Sequence, residues 1–194
     1  MSTYLFIDGT NLYASQYELF GPSEYLYFPS FLKQIESKLH IIFDQIYFYA
    51  SYSPRPEHPT NKEKLYLKNE SFFYRSVKSM QKLTFFKGYR SPTSGKEKEV
   101  DVKLAVDIVE KAAKNLFKTA YLISGDADFM EALFSARRFK KDIKVICLEN
   151  KIMFKALYFF PFILIKILDK KILFMTEKKY KLIKLRKKDL TETI

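Results

Sequence analysis

The stretch YLFIDGTNLY (residues 4–13) decides the fold, because its apolar run ends in the carboxylate of Asp8. A second stretch, ISGDADF (residues 123–129), repeats this arrangement, with Asp126 and Asp128 after another apolar run. Short and continuously apolar runs are typical of strands that are buried on both faces of a parallel sheet. The two stretches therefore predict two parallel strands, each followed by acidic side chains.

Further apolar runs extend this pattern, at residues 45–50, 83–88 and 143–148. Helical stretches are predicted between the runs, at residues 29–40, 60–80, 99–117 and 127–140, with Thr60 as an N-cap. This alternation predicts a doubly wound α/β domain, a parallel sheet of five or six strands with helices on both faces. The carboxyl ends of parallel strands meet at one edge, where ligands bind. We therefore expect Asp8 and Asp126 at the same edge.

Composition excludes several kinds of chemistry. The chain has 194 residues, 47% of them apolar and 29% charged, which is typical of a globular domain. Cys147 is the sole cysteine, so an internal disulfide and a cysteine zinc site are excluded. With only His40 and His58, a relayed Ser-His-Asp triad is poorly supported. No GxGxxG or P-loop motif occurs. Any catalysis is therefore expected to use carboxylates and metal ions.

The chain is predicted to divide into a core domain over residues 1–150 and a C-terminal part over residues 151–194. In the C-terminal part, an apolar helix or strand, such as one over 171–175, is expected to complete the domain before a basic tail. This part holds twelve Lys or Arg and four Asp or Glu, so +8 of the net charge of +12 lies there. Basic runs attract polyanions through counterion release, although many are simply solvated surface.

No membrane segment is expected. The most apolar run, at residues 156–165, is ten residues long, whereas a helix that crosses a bilayer needs about 20. The wider apolar segment 152–168 is instead expected to pack in the domain or to form a homodimer face. Because the N-terminus leads directly into a strand without a basic secretory region, we expect a cytoplasmic protein.

A third acid opens the helix over 99–117. Asp101 falls on the same stripe as the apolar residues Leu104, Ala105, Ile108 and Ala112. An acid in a first turn complements the helix dipole, but the dipole does not explain why this acid lies on the packing stripe. Asp101 is therefore predicted to face the interior. Asp107 lies about 120° away around the helix and is predicted to be a solvated charge.

Carboxylates that cluster in a partly buried site repel one another unless a cation is present. If Asp8, Asp101 and Asp126 meet at one edge, they predict a hard divalent ion, Mg²⁺ or Mn²⁺. Such an ion can activate water and stabilise a leaving group, as phosphodiester hydrolysis requires.

Three motifs in this order resemble the NYN domain of LabA-like proteins, within the PIN-like nuclease superfamily: FIDGTNLY (6–13), KEVDVKLAVDIV (98–109) and LISGDADF (122–129). The resemblance covers residues 3–150 and implies a Rossmann-like sheet with an acidic, metal-dependent ribonuclease site. The catalytic metal ligands that it implies are Asp8, Asp101 and Asp126, assisted by Asp128.

The resemblance also implies binding residues. Asn11 would orient Asp8 or a substrate phosphate, and Ser124 stands beside Asp126. This chain has Glu99 where the family usually has glycine, which adds a charge and a possible ligand oxygen, and Ala127 replaces a common glycine. Phosphate contacts are expected from the basic loop before Asp101, through Arg90, Lys96 and Lys98. Base stacking is open to Tyr13, Tyr17 and Tyr89.

The predicted function is a cytoplasmic endoribonuclease that cleaves single-stranded RNA, with DNA left open as a substrate. One alternative is an RNA-binding regulator that holds a metal ion without cutting, and another is a purely structural α/β module. The segment FIDGTN also resembles part of the haloacid-dehalogenase phosphatase motif. That family needs a nucleophilic Asp where this chain has Phe6, which cannot form an aspartyl-phosphate.

Overall fold

A computed structural model describes residues 2–22, 24–90, 97–148, 163–167, 175–177 and 180–182. For residues 90, 97, 98 and 147, and for all those after 148, only the backbone is described. The main strands are β1 (Thr3–Asp8), β2 (Gln45–Ala50), β3 (Leu83–Lys87), β6 (Thr119–Ile123), β7 (Asp142–Leu148) and β8 (Ile163–Ile167). A short antiparallel hairpin, β4 (Tyr89–Arg90) and β5 (Glu97–Lys98), follows β3.

The main strands form one six-stranded sheet in the order β3-β2-β1-β6-β7-β8. All its neighbouring strands pair in parallel. The helices are α1 (Gly9–Phe20), α2 (Phe28–Leu39), α3 (Asn61–Lys78), α4 (Val100–Ala113) and α5 (Met130–Arg138), with a 3-10 turn at Ala127–Phe129. The predicted α/β fold, a parallel sheet of five or six strands flanked by helices, is confirmed.

The predicted helices correspond to α2, α3, α4 and the 3-10 turn with α5. Thr60 is the N-cap of α3, as predicted: its side chain accepts a hydrogen bond from Glu63 N, and the Glu63 side chain accepts one from Thr60 N. Helix α1 was not among the helical stretches predicted from the apolar pattern. Its buried side includes the polar residues Ser15 and Gln16, which interrupt the apolar stripe that would reveal a helix.

Helices cover both faces of the sheet because successive strand residues point to opposite sides. On one face, Phe48 of β2 packs its ring against Phe28 of α2 and Phe73 of α3, with centroids 5.7 Å and 6.1 Å away. On the other face, Tyr47 and Tyr49 of β2 contact α4. Strand β2 therefore has an aromatic layer on each of its two faces.

The strand predicted over 171–175 lies mostly outside the described residues. Its last residue, Met175, belongs to β9 (Met175–Glu177), which pairs with β10 (Tyr180–Leu182) in a separate two-stranded sheet. The sixth strand of the main sheet is β8, the part of the apolar segment 152–168 that the structure describes. In the described ranges no helix has the length and apolar character that a membrane crossing requires.

The order of the strands creates a crevice. Strands β2 and β3 lie on one side of β1, and β6, β7 and β8 lie on the other, so the winding direction reverses between β1 and β6. The carboxyl ends of strands at such a reversal point form the usual ligand site of an open α/β sheet. Asp8 ends β1, and Ser124 directly follows β6, so both residues lie at this crevice.

Candidate functional site

Asp8 is the central acid of the crevice and is 4% exposed. It caps the N-terminus of α1, where Oδ1 accepts a hydrogen bond from Asn11 N at 3.0 Å. Its other oxygen, Oδ2, accepts one from the Ser124 hydroxyl at 2.9 Å. Donors at both oxygens compensate a buried carboxylate for the water it has lost. Asp8 is therefore a fixed acid with a defined orientation.

Ser124 joins the two acidic stretches. Its buried hydroxyl donates to Asp8 and accepts a hydrogen bond from Asp126 N at 3.1 Å. The structure thus joins the Asp8 carboxylate to the backbone of Asp126 through one hydroxyl, although the two residues are far apart in the chain. Asp126 is half-buried and caps the 3-10 turn, where its Oδ1 accepts from Asp128 N at 3.0 Å. Asp128 lies on this turn with its side chain exposed.

Asn11 makes a second link across the crevice, because its Oδ1 accepts a hydrogen bond from Gly125 N at 3.4 Å. A third link ties β2 to the same rim, where Ser51 N donates to Thr10 Oγ1 at 3.3 Å. Thr10 was not among the predicted site residues. Its position two residues after the strand-ending acid was the available signal, since the carboxyl ends of strands converge in this fold.

The orientation of α4 corrects two predictions. Asp101 lies in the first turn of α4 but is exposed, so the prediction that it faces the interior is wrong. Asp107, predicted to be solvated, is only 5% exposed. Its Oδ2 accepts a hydrogen bond from the Tyr49 hydroxyl at 2.7 Å, and its Oδ1 accepts one from Lys103 Nζ at 2.7 Å. These partners make the buried position of Asp107 tolerable.

Titration properties follow from these contacts. Burial opposes ionisation of Asp107, but hydrogen bonds from Lys103 and Tyr49 and the charge of Lys111 outweigh it, so the pKa of Asp107 falls below its ordinary value. Burial, reinforced by the hydrogen bond to Asp107, raises the pKa of Tyr49 well above its ordinary value. Tyr49 is therefore a neutral donor to an ionised carboxylate at physiological pH.

The expected substrate contacts have different outcomes. Tyr13 is buried, and its hydroxyl donates to the Tyr66 carbonyl, so the suggestion that it stacks on bases is wrong. Tyr17 packs edge-on against Tyr66, whereas Tyr89 is 54% exposed. Lys96 lies outside the described residues. Arg90 and Lys98 lie on the β4–β5 hairpin that leads into α4, and their side chains are not described.

The donors at the crevice determine which metal ion could bind there. In the part of the chain that the structure describes, no three Asp, Glu, His or Cys side chains form a group that could hold an ion. However, Mg²⁺ usually binds through one or two carboxylates, several waters and a substrate phosphate. The linked acids Asp8 and Asp126 therefore fit an ion that a phosphate helps to hold, and they do not make a closed site alone.

The fold and the crevice define a Rossmann-like, PIN-like α/β domain with paired acids at its topological switch point. This chain belongs to the NYN domain family, whose model matches residues 2–160. The family lies within the PIN-like nuclease superfamily, whose members are typically nucleases that use divalent metals. Membership thus associates this chain with nucleic acids and with hydrolysis in general.

A solved structure with a similar fold is that of a protein of unknown function from Vibrio parahaemolyticus RIMD 2210633. The two chains are 19% identical, the match covers 80% of this chain and 88% of that one, and the TM-score is 0.52. At this identity, the similarity shows the fold alone. Among curated proteins, none matches this sequence.

Proposed function

We propose that this NYN domain is an endoribonuclease that hydrolyses phosphodiester bonds of single-stranded RNA with the help of Mg²⁺ or Mn²⁺. The observation that carries the proposal is the Ser124 hydroxyl, which links the buried carboxylate of Asp8 to the backbone N–H of Asp126 at the switch point of the sheet. A metal-dependent nuclease needs oxygen ligands that are fixed before the substrate arrives, because an ion that they hold in place would stabilise the charge on the phosphate without reorganisation.

The residues of the rim have distinct proposed roles. Asp8, oriented by Asn11 N and Ser124, and Asp126 would bind the divalent ion, with Asp101 and Asp128 contributing from the open side. When bound, the ion would activate water and offset the negative charge of the phosphate. Asn11 would hold the rim together through its contact with Gly125. The proposed residues at the entrance are Arg90, Lys96 and Lys98.

Net charge and family membership support the proposed substrate class. The chain carries a net charge of +12, so a polyanion is attracted by long-range electrostatics and its binding falls with salt. Single-stranded RNA exposes its backbone to an open rim, whereas a duplex hides part of it. The LabA-like subfamily, the 1–150 domain boundary and dimerisation through residues 152–168 remain predictions.

The experiment that tests the proposal is cleavage of end-labelled single-stranded RNA by the purified protein in the presence of Mn²⁺. We expect cleavage with Mn²⁺, none in EDTA, and a loss of at least about 100-fold in rate for Asp126→Asn, since removal of one electrostatic group of a nuclease site commonly costs this much. Glu131→Gln in α5 is a control that changes the same charge at an exposed site. Cleavage that survives in EDTA or in Asp126→Asn would refute this mechanism.

A non-catalytic RNA-binding regulator is the second candidate, because the excess of basic residues supports RNA binding whether or not the bound strand is cut. The same variant separates the two functions. A regulator keeps or gains RNA affinity in Asp126→Asn and shows no turnover in the wild type. A nuclease keeps binding in this variant but loses the turnover that the wild type has.

A further inference from the structure

An ionic cluster around buried Asp107 lies beside the acidic crevice, on the other side of β1 from Ser124. It consists of Tyr49, Lys103, Asp107 and Lys111. Asp107 Oδ1 lies 2.7 Å from Lys103 Nζ and 3.3 Å from Lys111 Nζ, while Oδ2 accepts from Tyr49. One carboxylate therefore faces two ammonium groups. The cluster keeps an excess of one positive charge.

The two lysines have different environments. The side chain of Lys111 is 16% exposed, and its Nζ lies 4.5 Å from the centroid of the Tyr47 ring, deeper along β2. The side chain of Lys103 is 42% exposed and lies nearer to the start of α4. Lys103 makes the shorter contact with Asp107 and is also the more exposed of the two lysines. Because two ammonium groups share one carboxylate, the ammonium of Lys103 can meet a second anion from solvent while it keeps its hydrogen bond to Asp107.

The position of the cluster relates it to the crevice. Tyr49 is the direct partner of Asp8 in the β1–β2 pairing, so their backbones are about 4.8 Å apart, one strand spacing. Helix α4 contacts β1, β2 and the 3-10 turn that carries Asp128. Lys103 lies only one turn from the N-terminus of α4, which follows the hairpin at the carboxyl edge. Lys103 therefore lies at the end of α4 that is nearest to the acidic rim.

Position and charge together point to a role in substrate binding. An acidic rim repels the phosphates of an approaching strand, and a cation held beside it offsets this repulsion. A lysine that is already ordered by a salt bridge loses less side-chain entropy on binding than a free one. We propose that Lys103 contacts the RNA backbone phosphate next to the scissile phosphate. Asp107 and Tyr49 are then positioning residues for the ammonium of Lys103. This role deepens the proposed function and rests on it, because that function makes the acidic rim the place where RNA binds.

The test measures binding rather than cleavage. The full chain is titrated against a fluorescein-labelled single-stranded RNA oligonucleotide in EDTA, at several salt concentrations. For Lys103→Met we expect RNA affinity to fall about 5- to 10-fold at low salt. The slope of log affinity against log salt concentration (the salt slope) should become shallower by about 0.7, the value for one phosphate contact on a single RNA strand. The matched control is Lys114→Met, which makes the same charge change at the C-cap of the same helix, where Lys114 pairs with Glu110. Its salt slope should equal that of the wild type.

Asp107→Asn separates positioning from net charge, because it makes the protein more positive and also removes the partner that orients Lys103. If only net charge mattered, this variant would bind RNA more tightly; if Asp107 positions Lys103, it should bind about 2- to 5-fold more weakly. Tyr49→Phe keeps every charge and removes only the hydroxyl, so about 2-fold weaker binding is expected. Circular dichroism and thermal melting verify folding, and Tyr49→Phe decides the point if Asp107→Asn does not fold.

Several outcomes would overturn the inference: Lys103→Met that binds like Lys114→Met, a wild-type chain that does not bind the oligonucleotide, or an Asp107→Asn variant that is folded and binds more tightly. Failure of the proposed function is distinguishable from these. A wild-type chain that binds RNA through Lys103 but never cleaves it would refute the nuclease and leave the phosphate contact intact. A Lys103→Met chain that cleaves RNA at the wild-type rate would refute the phosphate contact and leave the nuclease intact.

Discussion

Gly9 shows how one residue couples the crevice to the core. A Cβ atom at Gly9 would lie 2.0 Å from Cε1 and 2.4 Å from Cζ of Phe48, much closer than real contacts allow. The Phe48 ring is fully buried and is held by Phe28 and Phe73, so it has little room to move. The glycine after the strand-ending acid is therefore required for space, since α1 begins directly on this aromatic ring.

Gly9→Ala is expected to lower the free energy of unfolding by about 1–3 kcal/mol, the usual cost of overpacking a core. Urea unfolding followed by circular dichroism measures this change. Phe48→Leu removes the obstructing ring, so the double variant should be more stable than the sum of the two single changes allows. Strictly additive effects would show that the two residues do not compete for the same space.

At the crevice, sequence reasoning succeeded for residues whose position depends only on the strands. Asp8, Ser124 and Asp126 follow apolar runs, and a parallel sheet brings the carboxyl ends of its strands to one edge. It failed for Asp101 and Asp107, because α4 has apolar residues on more than one side. Val102 and Val106 are exposed, so the apolar pattern did not identify the buried side. The spacing Lys103–Asp107–Lys111 was the available signal for a neutralised buried acid.

Among the elements, α4 is joined to β2 by the Asp107–Tyr49 hydrogen bond in addition to apolar packing. Sequence predicted that α4 exists but placed its end at residue 117, whereas the helix ends at Ala113. The aromatic Phe117, which sequence included in the helix, is a buried core residue before β6. Apolar residues in the loop after a helix can continue the helical pattern of the sequence, so the end of the helix is poorly predicted.

The low pKa of Asp107 makes this junction sensitive to acid. Its folded-state pKa lies below the ordinary value of 3.8, so its contribution to stability is full above that value and is lost as pH falls below it. We expect Asp107→Asn to be about 1–3 kcal/mol less stable than the wild type at pH 7, since a charged hydrogen-bond acceptor is lost. This difference should shrink as pH falls from about 5 to about 2.

Urea unfolding at each pH measures the difference between wild type and Asp107→Asn. Glu110→Gln is the control, because Glu110 makes an exposed ion pair with Lys114 on the same helix. This control should remain close to the wild type throughout. If the deficit of Asp107→Asn is unchanged down to pH 2, ionised Asp107 does not stabilise the junction.

Across the whole molecule, the sheet depends on residues beyond the predicted domain boundary at 150. Strand β8 pairs with β7 along Lys144–Leu148, opposite Ile163–Ile167. Without β8, the hydrogen-bonding groups on one side of β7 would be exposed as a sheet edge, and such edges pair with other chains. The β7 residues Val145, Ile146 and Leu148 are buried, so this edge belongs to an apolar strand. The match to the NYN family ends at residue 160, before β8 begins.

Truncation decides whether residues 1–150 fold independently. A chain that ends at residue 150 lacks β8, and we expect it to melt at least about 5 °C lower than the full chain and to associate as its concentration rises. A chain that ends at residue 170 keeps β8 but loses most of the basic tail, so it should melt near the full chain. Thermal melting and size-exclusion chromatography with light scattering make the comparison. A 150-residue chain that melts like the full one and does not associate would show that β8 is dispensable, because the paired core from β3 to β7 would then be sufficient for the fold.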